Sequence, residues 1–71
     1  MTTVKPGLYE HFKGNQYRVI GTGRHTETDE ALVFYYPMAE PDLLFARPTA
    51  MFVETVERDG YAGPRFRFIE D

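Results

Sequence analysis

Seventy-one residues, 27% of them charged, leave room for one small domain, expected to span residues 1–71 with 1–6 flexible. A chain near this size buries only about 60% of the surface that its unfolded form exposes. Six Phe and five Tyr, with no Trp, must therefore supply most of the core. The absence of Cys excludes disulfides and thiolate zinc sites, and a net charge of −3 disfavours non-specific binding to nucleic acid or to an anionic membrane. Nothing approaches the ~18 continuous apolar residues of a membrane helix, and MTTVKPGLYEHF does not read as a signal peptide, so a cytoplasmic location is expected.

The charge is unevenly spread. Residues 1–24 hold Lys5, Lys13, Arg18 and Arg24 against Glu10, while residues 25–59 hold eight acids against Arg47 and Arg58. A basic patch on an acidic protein is consistent with that division.

In chain order, Leu8–Phe12 alternates as a first strand, and Lys13, Gly14 and Asn15 supply turn chemistry, since Gly and Asn tolerate positive φ. A second strand is expected from Gln16 to Arg24, with Tyr17 and Val19 on one face and Ile20 breaking the alternation. Gly21 and Gly23 in its second half mark a bulge, a bend or the close approach of another backbone. After a polar turn at Thr26–Glu30, Ala31–Tyr36 reads as a central strand buried on both faces.

Two prolines make residues 37–42 a loop, and Leu43–Arg47 is expected as a fourth strand ended by Pro48. A short 3₁₀ turn near 48–51 and a further strand toward Val56 come next. Arg58–Gly60 is a turn, Gly63-Pro64 leads into the last strand, and Phe66 and Phe68 face inward there while Arg65 and Arg67 face out. Five or six short antiparallel strands without a convincing helix point to an all-β fold, a small closed barrel.

The chain also lacks Ser, so the usual hydroxyl and thiol nucleophiles other than Thr are missing and common hydrolase chemistry is disfavoured. GTGRHT fails as a dinucleotide fingerprint, because Thr26 replaces the last glycine and a strand, not a helix, follows. No cofactor is expected. His25, Glu27 and Asp29 alternate, and with His11 from a neighbouring strand they form a weak candidate metal set. The alternative is a solvated turn whose polar side chains bond local backbone, and it is the preferred reading.

His11 and His25 are candidate proton carriers or structural histidines. Arg47 could hold an anion through its planar fork, although an internal pair with Glu27 or Glu54 is the simpler expectation. Tyr9, Tyr17, Tyr35 and Tyr36 are either core or a stacking platform for a peptide or single-stranded nucleic acid.

The residues Gly7-Leu-Tyr-Glu-His-Phe-Lys-Gly14, Tyr17-Arg-Val19, Arg24-His-Thr-Glu-Thr28, Val33-Phe-Tyr35, Arg47-Pro-Thr-Ala-Met-Phe52 and Pro64-Arg-Phe66 occur in that order. This pattern resembles a family of short bacterial proteins, domain of unknown function 1653, along nearly the whole chain. Phe45-Ala46 departs from the Trp-Val expected before Arg47. The resemblance implies a compact β fold similar to an SH3-like barrel, and it draws attention to Arg24, His25, Thr26, Glu27, Arg47 and Pro48 as motif residues that a core alone would not explain.

The leading functional expectation is a non-catalytic binding module, with His11, Arg24, His25, Glu27, Tyr35 and Arg47 as candidate ligand-binding residues and a ligand, peptide or protein as partner. A nucleic-acid-binding barrel using the basic first third with Arg65 and Arg67 is the alternative. A small enzyme with His25 and Glu27 as an acid–base pair is a third, conditional on geometry.

Overall fold

The computed structural model describes residues 4–71. Seven strands and one short helix follow one another as β1 (Gly7–His11), β2 (Gln16–Arg24), β3 (Ala31–Pro37), β4 (Phe45–Pro48), α1 (Thr49–Phe52), β5 (Thr55–Arg58), β6 (Tyr61–Pro64) and β7 (Phe66–Glu70). Every strand pairing is antiparallel, so the fold is all-β as expected. Its topology is open: one sheet runs β4-β3-β2-β1-β7, and β5-β6 forms a separate hairpin. Closure would need β4 to meet β7, and α1 with the β5-β6 hairpin occupies the chain between them.

The extra strand is β6, which pairs Tyr61–Pro64 with Arg58–Thr55 where Gly63-Pro64 reads as a turn from sequence alone. Pro64 is tolerated there because it ends a two-stranded hairpin whose outer side needs no donor. The turn between them uses Asp59 and Gly60, both at positive φ. The residues expected to form a 3₁₀ turn make one turn of α-helix instead, whose Thr49 and Phe52 face the core. β4 begins at Phe45, two residues later than its apolar run, because Leu43 is tied back into the loop through a hydrogen bond from its N–H to the Glu40 carbonyl.

The glycines of β2 act as the pattern implied. The register between β2 and β3 shifts between Val19 and Gly21, which leaves Ile20 unpaired and 53% exposed. That bulge is why Ile20 breaks the alternation. Gly23 has a different reason: a Cβ there would lie 2.9 Å from the Phe34 ring, so a side chain, not a backbone, crosses it.

The core is a cluster of Val4, Tyr9, Val19, Val33, Tyr35, Phe52 and Phe66, with Tyr17 and Phe68 packed against it. Residues 1–3 of the stretch expected to be flexible lie outside the described residues, whereas Val4 is buried in the core. Phe52 stacks on Phe66 with ring centroids 4.1 Å apart and meets Tyr9 and Tyr35 edge-on. β3 is buried on the Val33 and Tyr35 face alone, while Leu32, Phe34 and Tyr36 on the other face stay half-covered. The expectation of burial on both faces fails because, among the described residues, no second layer covers that side: α1 and the core aromatics lie on the Val33 face.

Candidate functional site

Strand register decides which candidate residues can meet. Tyr9 pairs with Tyr17, Val19 with Tyr35, Tyr35 with Phe45, Val33 with Arg47, and His11 with Phe66. Directly opposed residues in an antiparallel pair share a face, so His11, Tyr17, Tyr35, Phe45, Arg47 and Phe66 all project from the core side of the sheet. Phe52 caps one part of that face. The part toward β4 is left open.

In that opening, Arg47 donates from Nε to the Tyr35 hydroxyl at 3.1 Å and lies 5.7 Å from the centroid of the Phe66 ring. Its guanidinium carbon thus lies over an aromatic face, and the residue as a whole is half-buried. The internal ion pair expected for Arg47 is not formed. Glu54 is bonded to Arg65 at 2.7 Å, and Glu27 sits in a distant turn. Among the described residues no carboxylate bridges Arg47.

Tyr17 meets Tyr35, Phe45, Phe66 and His11, at centroid separations between 5.6 and 6.5 Å. Two open grooves of about 510 and 500 Å³ lie on either side of Phe45. The first runs over Tyr17, Pro37 and Met38, and the second over Tyr35, Arg47, Leu44 and Met51. Leu44, Phe45, Met38 and Met51 are all exposed. Leu44, Phe45 and Met51 line the groove that holds Arg47, and Met38 lines the other.

His11 backs this face. Its ring packs on Phe12, Phe66 and Tyr17, and its Nδ1 accepts the Lys13 backbone N–H at 3.1 Å. An accepting Nδ1 leaves the proton of the neutral ring on Nε2. Burial lowers the imidazole pKa from its ordinary 6.5, and repulsion from Arg65, Arg47 and Lys13 lowers it further. His11 is therefore held neutral beside a positive local field, on a chain whose net charge is −3.

Arg24, His25 and Glu27 are elsewhere. His11 lies at the Gln16 end of β2, and His25 follows the Arg24 end, roughly 25 Å away along nine strand residues. His25 Nδ1 accepts the backbone N–H of Glu27 at 3.1 Å and of Thr28 at 3.4 Å, and the main chain closes the turn through Asp29 N–H to His25 carbonyl. Arg24 bridges the Asp29 carboxylate at 3.3 Å. Asp29 itself takes positive φ. The imidazole thus caps a hairpin turn as an Asn side chain would, and the neighbouring polar residues complete it.

Among the described residues no three His, Asp or Glu side chains gather closely enough to hold a metal ion, so His25, Glu27 and Asp29 do not form a ligand set. Of the six candidate ligand-binding residues, His11, Tyr35 and Arg47 converge, and Arg24, His25 and Glu27 build the distant turn. Sequence reading missed Phe45, Leu44, Met38 and Met51. The available signal was the apolar run Leu43-Leu-Phe45 held between Pro41 and Pro48, since flanking prolines mark an edge where apolar side chains stay uncovered.

The family model described as "Protein of unknown function (DUF1653)" matches residues 7–68. The chain belongs to the DUF1653 family. A crystal structure of a protein belonging to this family, from Bordetella bronchiseptica, is 35% identical to the chain and superposes with a TM-score of 0.86, covering 94% of this chain and 88% of that one. No curated protein matches. Among the described residues no helix is long and apolar enough to cross a membrane.

Proposed function

We propose that this DUF1653 chain is a non-catalytic binding module, and that its ligand sits across Phe45 with an apolar portion against Tyr17, Phe45 and Met51 and an anionic group on Arg47. The observation that carries this reading is the state of Arg47. It is fixed by Tyr35 and Phe66, set among exposed apolar side chains, and left without an acidic partner. A guanidinium whose stem is already ordered loses little freedom when a carboxylate docks on its fork.

The other readings have weaker support. Arg24, Arg65 and Arg67 are engaged with Asp29, Glu54 and Glu10, which removes three of the cations that a nucleic-acid surface would use. His25 and Glu27 line neither groove around Phe45. An acid–base role for them would need a substrate held on an exposed turn.

Titration of labelled protein with phenylacetate and 3-phenylpropionate, followed by NMR, tests the proposal. The carboxylates are expected to shift Phe45, Ala46 and the Arg47 Nε–H, the matching amides to shift them much less, and Arg47→Met to remove the difference. Equal shifts with acid and amide, or none at millimolar ligand, would remove the basis for an anion-binding groove.

A further inference from the structure

Resting on the groove just described, we infer that its natural occupant is an extended, acidic segment of another protein, which adds as a strand to the free edge of β4. β4 ends the five-stranded sheet, with β3 on one side and, among the described residues, no strand on the other. Half of its main-chain donors and acceptors therefore point away from β3. Among the described residues, no turn or loop backbone hydrogen bond engages residues 45–47, while the Pro48 carbonyl lies at the start of α1. Pro48 has no N–H and closes one end of the edge, so a docked strand registers on Phe45, Ala46 and Arg47.

The second groove runs along this same edge: four of its lining residues are the whole of β4, joined by Leu44 and Met51. An added antiparallel strand would place alternate side chains over Arg47 and Phe45, since residues two apart share a face. The side chain opposite Arg47 is acidic for reasons of charge. Among the described residues no carboxylate bridges Arg47, and no acidic side chain lines that groove. The side chain opposite Phe45 is apolar, because Leu44, Phe45 and Met51 are exposed around it.

The probe is a blocked pentapeptide, acetyl-Thr-Glu-Thr-Val-Thr-amide, which puts Glu before Val in the order that an antiparallel strand on β4 requires. It is compared with the same peptide carrying Lys for Glu, and with copies N-methylated at alternate amides. NMR titration is expected to shift Phe45–Arg47 amides with the Glu peptide, at least tenfold more weakly with the Lys peptide, and to lose binding with one N-methyl pattern while keeping it with the other. Arg47→Met should bring the Glu and Lys peptides to equal affinity. Equal tolerance of both N-methyl patterns would overturn strand addition.

Binding of phenylacetate without binding of the peptide would overturn this inference and leave the groove reading intact. Failure of both would remove both. Sedimentation across a wide concentration range closes the remaining route: a stable dimer dissociated by Ala46→Pro, in a variant that circular dichroism shows to be still folded, would make a second copy the occupant of the edge and overturn the inference.

Discussion

Replacing Tyr35 by Phe removes one oxygen from a residue that is otherwise fully enclosed, and that oxygen accepts the Arg47 Nε–H at 3.1 Å. A hydrogen bond to a charged group contributes about 1.5–3 kcal/mol when nothing replaces it. Arg47 is only half-buried, so in the variant its Nε can turn to water, and the expected loss is about 1 kcal/mol. For a domain of this size that corresponds to a fall in Tm of roughly 4–8 °C. The assay is a double-mutant cycle by urea unfolding with Arg47→Met as the second substitution, because Met keeps an unbranched apolar stem and deletes the donor. Coupling of about 1 kcal/mol is expected, at unchanged m-value. If the two single effects add within ~0.3 kcal/mol, the Tyr35–Arg47 bond contributes nothing and the tethering of Arg47 is refuted.

Four further outcomes follow from the same contacts. Phe52→Ala should cost about 3–5 kcal/mol, close to the whole stability of a 71-residue chain, and leave the protein largely unfolded by circular dichroism at 25 °C. Thr49→Val should be neutral or stabilising by up to ~1 kcal/mol in chemical denaturation, because the buried Thr49 hydroxyl has no hydrogen-bond partner and a methyl fills the same space. His25→Ala should lose about 0.5–1 kcal/mol and His25→Asn less, while both keep phenylacetate binding; impaired binding in either would tie the turn to the groove. Gly7→Ala should destabilise by about 1–3 kcal/mol in thermal melts, since the residue has φ 147° and a Cβ would meet the Glu70 carbonyl oxygen at 2.7 Å.

The pH dependence has a defined sign at both ends. His11 takes up a proton more readily in the unfolded chain, because burial and three nearby cations lower its folded pKa below 6.5. Stability contributed by the neutral ring is complete above that value and is lost as pH falls through the folded pKa. His11→Gln should lack that part of the acid slope in urea titrations. At the alkaline end, burial raises the Tyr9 pKa above 10.0, so the unfolded chain ionises first and stability falls as pH rises past 10.0. Tyr9→Phe should remove this slope, with a separate loss at neutral pH from the missing hydrogen bond to the Lys5 carbonyl.

What the sequence determined by itself was local and periodic. Alternation placed β1, β2 and β7, the β-branched and aromatic run Ala31–Tyr36 placed β3, and Lys13-Gly-Asn15 marked the first hairpin, where Gly14 takes φ 104°. Gly21 and the misplaced Ile20 located the bulge. Each of these depends on steric and burial preferences of neighbouring residues, and neighbours are what a sequence shows. A polar turn with side chains bonded to local backbone was also legible in the residue types of Thr26–Glu30, but nothing in the spacing said that His25 would be the cap or that Tyr35 and Arg47 would meet apart from it.

Tertiary structure decided the partners. An internal pair of Arg47 with Glu27 or Glu54 was the simpler expectation until the register Val33 to Arg47 set it on the core face, and Arg65 took Glu54. The choice between a closed barrel and an open sheet rested on whether β4 meets β7, a contact between segments about twenty residues apart that no local pattern encodes. Among the described residues that edge is open and no carboxylate bridges Arg47, which is why the proposed site lies with Phe45 and not with the histidine turn: exposure and unmet charge are properties of packing, fixed when the strands pair.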